Sequence, residues 1–224
     1  MKLLIVIVNF NSADLAIDCL RSLAAQRAEL LGEGGKVVIT DNASTDDSVA
    51  RIAAAIAANG WGDWVDPKPL PRNGGFAYGN NAAIAPALSQ SDKPTFILLL
   101  NPDTIVRPGA VRTLTEFLRA HPQAGIAGAR LEDPDGTPQR SAFRFHSIAG
   151  EFERGIRIGF VTRLLAARMI APPVSDRAEA CDWVAGAAMM VRTTVFEQVG
   201  LMDEKYFMYF EEVDFCRRAA AAGW

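Results

Sequence analysis

The sequence has little cysteine, little histidine and no long apolar run. Its three cysteines, Cys19, Cys181 and Cys216, are widely spaced and form no Cys-x-x-Cys pair. The sequence therefore predicts neither a disulfide framework nor a zinc site, and it favours a reducing, cytoplasmic setting. The two histidines, His121 and His146, have no cysteine or acidic residue nearby at metal-ligand spacing, so we expect no histidine metal site.

No apolar run approaches the roughly 20 residues that a membrane-spanning helix needs. The stretch from Met1 to Val8 has one lysine followed by apolar residues, as a signal peptide does. It is short and no small-x-small cleavage site follows it, so we expect a buried strand instead.

The composition excludes further classes of protein. A hydrophobic content of 50% is too high for a disordered chain, and the 18 glycines and 12 prolines show no collagen-like period. A net charge of −3 argues against a protein whose whole surface neutralises nucleic-acid phosphates. A chain of 224 residues can bury about 70% of the surface that its unfolded form exposes, which favours one ordinary globular domain.

Short apolar runs alternate with helical patterns along the first half of the chain. The predicted strands are Leu3–Val8, Lys36–Thr40 and Thr95–Leu100. The predicted helices are one that Ser12 caps and that buries Leu15, Cys19, Leu20 and Leu23, then Asp46–Ala58, Gly79–Ser89 with a bend at Pro86, and Gly109–Ala120. Between them, Trp61–Arg72 is expected to be an extended loop. This alternation predicts an α/β fold with a mostly parallel sheet flanked by helices.

The pattern changes after about Arg130. We expect a turn-rich connection at Leu131–Gly136, a strand at Asp182–Arg192 and a helix at Glu211–Ala222. From Arg140 to Arg168, six arginines and two glutamates give a local charge of +4 among apolar residues. That basic segment is typical of a surface that meets an anionic acceptor or membrane, and equally of a solvated amphipathic helix packed on the core.

Polar residues cluster where the predicted strands end. In open α/β sheets, ligands bind beyond the carboxyl ends of the strands, so these clusters predict one binding site. They are Asn9 and Asn11; Asp41, Asn42 and Ser44; Asn73, Gly74, Gly75 and Asn80; and Asn101 with Asp103. Each cluster alone is also explained as a turn whose side chains bond the backbone. The glycine-rich cluster fits neither the P-loop pattern nor the dinucleotide fingerprint.

Asp103 is a candidate metal ligand. It follows the most apolar strand of the chain directly, where a carboxylate can hold Mg²⁺ or Mn²⁺ on a diphosphate. Such ions take one or two protein carboxylates and complete their coordination with phosphate oxygens and water. The alternative is that Asn101–Asp103 is simply the turn that terminates the strand.

A third group of candidates lies near the end of the sequence. Glu211, Glu212 and Asp214 follow the aromatic run Tyr206–Phe210. Acidic residues in a first helical turn complement the helix dipole. Three carboxylates in four residues also repel one another, which would raise a pKa toward the range of a general base. Earlier, Trp183–Ala187 is either a plain core strand or a place where Gly186 lets a ligand approach the backbone.

Together these motifs resemble family 2 glycosyltransferases, and most of all their bacterial rhamnosyltransferase-like branch. The resemblance covers almost the whole chain and rests on six motifs in the family's order. They are Val8–Asn11, Asp41–Ser44, Asn73–Ala77 with Asn80–Asn81, Leu99–Asp103, Trp183–Gly186 and Phe207–Asp214. The resemblance implies a GT-A fold over residues 1–224, with a nucleotide-sugar-binding half (1–130) and an acceptor-side half (131–224).

The resemblance also implies roles for single residues. Asp41 would pair with the base of a nucleoside-diphosphate sugar, Asn9 and Asn73 would line the nucleoside pocket, and Asp103 would bind the metal. Trp183 and Gly186 would border the donor sugar and the acceptor. The general base falls on Glu212, where the family usually has the shorter aspartate. Family members usually continue past Trp224, so we expect the chain to be a C-terminally shortened version.

The resulting hypothesis is an inverting, metal-dependent glycosyltransferase. It would move a sugar, with rhamnose as a first guess, to a hydroxyl of a glycan or lipid-linked acceptor in cell-surface polysaccharide synthesis. It would work in the cytoplasm, at the inner face of the membrane if the basic segment binds there. The rival hypothesis is an inactive nucleotide-sugar-binding module that serves as a partner subunit. A sugar-nucleotide pyrophosphorylase is a third reading, although Val8–Ala13 lacks the basic residues expected of one.

Overall fold

The computed structural model describes residues 3–32, 34–145, 171–175 and 177–224. His146 and most of the basic segment, residues 146–168, lie outside the described residues. The strands are β1 (Leu3–Asn9), β2 (Gly35–Asp41), β3 (Val65–Pro69), β4 (Phe96–Leu100), β5 (Ile126–Gly128), β6 (Leu131–Glu132), β7 (Pro138–Gln139), β8 (Ala142–Phe143), β9 (Trp183–Val184) and β10 (Ala188–Arg192). The helices are α1 (Ala13–Ala24), α2 (Arg27–Gly32), α3 (Ser48–Ala58), α4 (Gly75–Leu88), α5 (Ala110–Ala120), α6 (Thr193–Val199) and α7 (Glu211–Ala221).

The main sheet has the strand order β3-β2-β1-β4-β10-β5. Its first four strands are parallel, and β10 is antiparallel to both of its neighbours. Every residue of β1 and β4 is buried, as expected for central parallel strands with helices on both faces. The predicted α/β class with a mostly parallel sheet is confirmed.

Two apolar layers cover the two faces of the sheet, and alternate residues of β1 divide between them. Leu3, Ile5 and Ile7 pack in a layer with residues of α1, α3 and α5. Leu4 and Val6 point the other way, into a layer with residues of α4, α6 and α7. This division follows from the two-residue period of a strand. Both helical layers therefore depend on the same central strand for their position.

The structure corrects the predicted bounds of several elements. Residues 65–69 of the expected loop form β3, which among the described strands pairs with β2 only. Pro67 and Pro69 are tolerated there because it is an edge strand. Helix α4 begins at Gly75, not Gly79, and includes Pro86. The strand predicted at Asp182–Arg192 is two strands, β9 and β10.

Smaller corrections concern the connections and α1. The turn-rich connection contains β6, which pairs with β7 as a hairpin. Leu15 is 49% exposed rather than buried. Ser12 makes no capping bond to α1; its hydroxyl donates to Asn9 Oδ1 at 3.0 Å. Among the helices in the described ranges, none combines the length and the apolar character of a membrane span.

Candidate functional site

The carboxyl ends of the central strands bring the predicted polar clusters to one edge of the sheet. Asn9 and Asp41 are the last residues of β1 and β2 and are register partners. Strand β4 runs parallel to β1 and ends at Leu100, directly before Asn101. Because all three strands point the same way, their terminal loops share this edge.

Asp41 organises the loop that follows β2. Its side chain is 4% exposed. Oδ2 accepts hydrogen bonds from Asn9 Nδ2 and Ser44 Oγ, both at 2.7 Å, and Oδ1 accepts one from the Ser44 amide at 2.8 Å. A carboxylate can accept about four hydrogen bonds, so these three leave room for one donor from a ligand.

A second set of bonds joins the loops after β1 and β2. The amide of Asn11 donates to Ser44 Oγ at 2.9 Å, and Asn11 Oδ1 accepts from the Thr45 amide at 2.8 Å. Asn11 Nδ2 also donates to Thr45 Oγ1 at 3.1 Å. Thr45 was not predicted as a site residue, because it lies one position beyond the Asp41–Ser44 motif.

Asn42 ties the β2 loop to the start of α4. It is buried, and its Nδ2 donates to Asn73 Oδ1 at 3.0 Å and to the Gly75 carbonyl at 2.9 Å. Asn73 Oδ1 also accepts from the Gly75 amide at 3.1 Å. Asn80 lies one turn further along α4, buried, with Nδ2 donating to the Phe76 carbonyl at 3.0 Å and Oδ1 without a partner among the described atoms.

Asp103 projects from a tight turn after β4. Thr104 Oγ1 donates to the Asn101 carbonyl at 2.7 Å, and the Asn101 amide donates to the Ala187 carbonyl at 2.9 Å. Asp103 is exposed, and no hydrogen bond or ion pair joins its carboxylate to the described residues. The described chain contains no group of three or more potential metal-ligating side chains. This donor set fits a hard cation that takes one protein carboxylate and fills its other positions with phosphate and water.

Ser22 of α1 and Gln26, two residues after α1 ends, brace the loop that carries Asp103. The amide of Val106 donates to Ser22 Oγ at 2.9 Å, and the Val106 carbonyl accepts from Gln26 Nε2 at 3.2 Å. Gln26 Oε1 accepts from the Gly109 amide at 2.9 Å, at the start of α5. Ser22 and Gln26 were not predicted as site residues, although with Cys19 they recur in the sequence at helical spacing.

The three carboxylates at the start of α7, those of Glu211, Glu212 and Asp214, lie in different environments. Glu211 is 4% exposed and Glu212 is half-buried, and each has an Oε2 with no hydrogen-bond partner among the described atoms. Burial raises the pKa of both carboxyls, and the charge of Glu211 adds to the rise at Glu212. Asp214 instead accepts a hydrogen bond from Arg218 Nε at 2.8 Å, within an ion pair.

Glu212 lies against the segment that leads into β10. A Cβ placed on Gly186 would be 3.8 Å from Glu212 Cβ and 3.3 Å from Phe76 Cε1. Gly186 therefore marks the meeting point of α7 and the start of α4. Trp183 stacks on Phe143 with ring centroids 4.2 Å apart, and its indole N–H donates to the Arg144 carbonyl.

The aromatic segment (Tyr206–Phe210) leads into α7 and is exposed at all five positions. It contacts α4 through the Phe207 carbonyl, which accepts a hydrogen bond from the Phe76 amide at 3.1 Å. Gly75 has a φ of +86°, and a Cβ there would overlap the Phe207 carbonyl oxygen. Tyr209 and Phe210 both adopt left-handed φ values of 69°, which is costly for bulky residues.

Comparison with known families decides the classification. The family model described as Glycosyl transferase family 2 matches residues 4–180. The chain belongs to this family. The resemblance stated from the six motifs is thereby confirmed, and the match begins in β1 and extends to residue 180.

Curated relatives of the chain are rhamnosyl- and hexosyltransferases by name. The chain is 29% identical over 199 residues to the N-acetylglucosaminyl-diphospho-decaprenol L-rhamnosyltransferase of Mycobacterium tuberculosis, covering 84% of this chain and 62% of that one. It is 28% identical over 152 residues to rhamnosyltransferase WbbL of Escherichia coli, covering 66% and 55%. The chain thus spans about three fifths of the length of these relatives.

Two solved structures with similar folds contain a nucleotide sugar. The mannosyltransferase PcManGT of Pyrobaculum calidifontis, in complex with GDP-Man and Mn²⁺, matches with a TM-score of 0.66 at 15% identity, over 100% of this chain and 53% of that one. S. aureus TarS 1-349 in complex with UDP-GlcNAc matches with a TM-score of 0.58 at 17% identity, over 98% and 53%. At these identities the likeness establishes the fold, which is GT-A.

Proposed function

We propose that the chain is an inverting glycosyltransferase that moves a sugar from a nucleoside-diphosphate sugar to an acceptor hydroxyl. The observation that carries the proposal is the position of Glu212 beside Gly186 and Phe76, at the start of α4. Burial raises the pKa of the Glu212 carboxyl, and Phe76 directly follows Gly75, which Asn42 bonds at the polar edge of the sheet. The names of the family relatives support the same reaction, with rhamnose as the first candidate sugar.

The donor occupies the edge formed by the ends of β1, β2 and β4. In this proposal Asp41 offers its remaining acceptor capacity to the base, while Asn9 and Asn11 hold the loops that shape the pocket. Asn42, Ser44, Asn73, Gly74, Gly75, Asn80 and Asn101 complete the proposed nucleotide-sugar-binding set. The network around Asn42 fixes the loop at the start of α4 in place before the donor arrives. A preformed site of this kind lowers the ordering cost of binding.

Glu212 is the proposed general base. Its carboxylate takes the proton from the acceptor hydroxyl while that oxygen attacks the anomeric carbon. The new C–O bond forms on the face opposite the bond to the diphosphate, which breaks, and the nucleoside diphosphate leaves with that electron pair. Because burial raises the pKa of Glu212, the carboxylate is a stronger base than an exposed one.

Asp103 is the proposed ligand for Mg²⁺ or Mn²⁺. The ion, when bound, neutralises charge on the leaving diphosphate. Asp103 holds this position because its turn is fixed on one side to Ala187 and braced on the other by α1. Trp183 and Gly186 border the proposed sugar site. Gly186 lies beside Glu212, and the carbonyl of the next residue, Ala187, binds the turn of Asp103.

The acceptor is proposed to be a glycan or a lipid-linked sugar. Support comes from the name of the mycobacterial relative, which specifies a diphospho-decaprenol acceptor. The exposed aromatic segment (Tyr206–Phe210) offers rings next to Glu212 on which a sugar can stack. Contact of Arg140–Arg168 with an anionic membrane stays a prediction. Co-sedimentation with anionic but not neutral vesicles at low salt would support it.

Donor binding and turnover test the proposed function together. A thermal-shift screen of nucleoside diphosphates and their sugars, with and without Mn²⁺, identifies the donor; at 100 times its Kd a ligand adds roughly 2.7 kcal/mol of stability. The chain is then assayed with that donor and sugar acceptors. Acceptor-dependent release of nucleoside diphosphate supports the proposal. Tight binding without turnover favours the inactive binding module, and release or use of pyrophosphate indicates a pyrophosphorylase.

A further inference from the structure

Asn81 joins α4 to the segment that carries the glutamates. It is 5% exposed and lies 121 positions before the main chain that it binds. Its Nδ2 donates to the Met202 carbonyl at 2.8 Å, and its Oδ1 accepts from the Met202 amide at 3.2 Å. One side-chain amide therefore satisfies both backbone groups of Met202, as a neighbouring strand would.

The Asn81 side chain also contacts Glu204, which lies close to Arg72. Asn81 Nδ2 also donates to Glu204 Oε1 at 3.0 Å, and the other carboxylate oxygen of Glu204 is 4.0 Å from Arg72. Met202 is itself buried in the apolar layer between α4 and α7. The segment is thus anchored by packing and by Asn81 at the same point.

From this anchor the chain runs along α4 toward the donor site. Met202 bonds Asn81. Phe207, five residues after Met202, bonds the amide of Phe76, which lies five residues before Asn81 on α4. Five helical residues span about 7.5 Å. Glu211 and Glu212 begin α7 and stand four and five residues after Phe207. The distance between residues 76 and 81 on α4 therefore fixes the two points at which the segment is held, and with them the place where α7 begins.

We propose that Asn81 is a positioning residue, which fixes Glu212 relative to the donor-binding start of α4. Asn81 touches neither reactant in this proposal and acts through the segment Met202–Phe210. The inference rests on the proposed function, because positioning is measured here as catalysis by Glu212. It assigns to a buried asparagine a task beyond core packing.

Asn81→Asp tests the proposal with almost no change of volume. It removes both donated bonds and places a carboxylate against Glu204. We expect kcat to fall about 10- to 100-fold, since small misplacements of a reacting group have effects of that order, while the Kd for donor stays within about twofold. Adding Glu204→Gln removes the repulsion and supplies a new donor to Asp, so the double variant should recover part of the lost kcat. Glu204→Gln alone should resemble the wild type.

Two controls separate positioning from loss of stability. Ile56→Val lies in the opposite apolar layer and should lower Tm without lowering kcat. Hydrogen exchange of the amides at 203–210 should be faster in Asn81→Asp than in Ile56→Val or the wild type, and this readout needs no turnover. If Asn81→Asp does not fold, Asn81→Ser takes its place in the same measurements.

The outcomes are distinguishable. Unchanged exchange at 203–210, an unchanged kcat, or a fall in kcat that matches a fall in donor affinity overturns the role of Asn81. If the wild type transfers no sugar while exchange still rises in the variant, the proposed function has failed and the anchoring by Asn81 stands. Reduced kcat with intact donor affinity and partial rescue by Glu204→Gln supports the inference.

Discussion

Glu211 and Glu212 are neighbours in sequence with different surroundings. Glu212 faces Gly186 and Phe76 and is half-buried, whereas Glu211 is almost fully enclosed with one oxygen unbonded among the described atoms. A helix turns 100° per residue, so the two side chains cannot serve the same surface. The resemblance to the family assigned the general base to Glu212 by motif position alone. It could not predict how deeply Glu211 is buried.

Glu211→Gln should stabilise the protein at neutral pH. Burial raises the pKa of Glu211 in the folded state above its unfolded value, so the folded state favours the protonated form. The protonated Glu211 therefore contributes to the free energy of unfolding below the unfolded pKa of about 4.3. This contribution is lost as the pH rises through the pKa of Glu211 in the folded state. The amide keeps the shape without the charge, so Tm should rise at pH 7 to 8 and change little near pH 4. Exposed Glu116→Gln is the control, and a lower Tm at neutral pH would contradict the account.

Asp103→Ala should abolish the metal-dependent part of donor binding. Asp103 is the exposed carboxylate of the turn after β4, and the described residues contain no larger acidic ligand group. Titration calorimetry with nucleoside diphosphate should show tighter binding with Mn²⁺ in the wild type but not in the variant. Metal-free affinity should be equal in both, because Asp41 and Asn9 are untouched. Asp18→Ala on α1 should behave as wild type; equal affinities for wild type and Asp103→Ala in Mn²⁺ would rule out the assignment.

At the scale of elements, tertiary contacts explain the secondary structure of β3 and of the first turn of α4, which the sequence pattern did not predict. Three prolines made Trp61–Arg72 read as a loop, yet an edge strand needs hydrogen bonds on one side only. The first turn of α4 was missed because glycines usually break helices. That turn forms because Asn42 and Asn73 bond its backbone. Asn73 is only two residues before Gly75, but Asn42 is 33 residues before it, and sequence spacing cannot reveal so distant a partner.

The contact between α4 and the aromatic segment makes Gly75 sensitive to substitution. Gly75 and Gly60 both have positive φ, but only at Gly75 would a Cβ overlap neighbouring backbone, that of Phe207. Gly60→Ala should cost about 1–2 kcal/mol through its left-handed conformation alone. Gly75→Ala should cost more and should also lower kcat, because Phe207 must move. Denaturant unfolding compares the two, and equal losses of stability would contradict the close approach.

For the whole molecule, alternating strands and helices were enough to predict the class of fold. Central parallel strands are apolar throughout, and their carboxyl ends must share one edge, so the polar clusters could be assembled in advance. The sequence could not predict the contacts made by Ser22, Gln26 and Asn81. Each of these contacts joins segments that only the complete fold brings together. Membership of glycosyltransferase family 2 agrees with this class of fold.

Transfer of a sugar with inversion, driven by Glu212, is the central claim. The direct test is to identify the anomeric configuration of the product by NMR while measuring rates for the wild type, Glu212→Gln and Glu211→Gln. The account predicts inversion relative to the donor. It predicts a fall of about 10²–10⁴ in the rate for Glu212→Gln, the size of a lost general base, with donor affinity unchanged and a much smaller effect for Glu211→Gln. A product of retained configuration, or a Glu212→Gln variant as fast as the wild type, would contradict it.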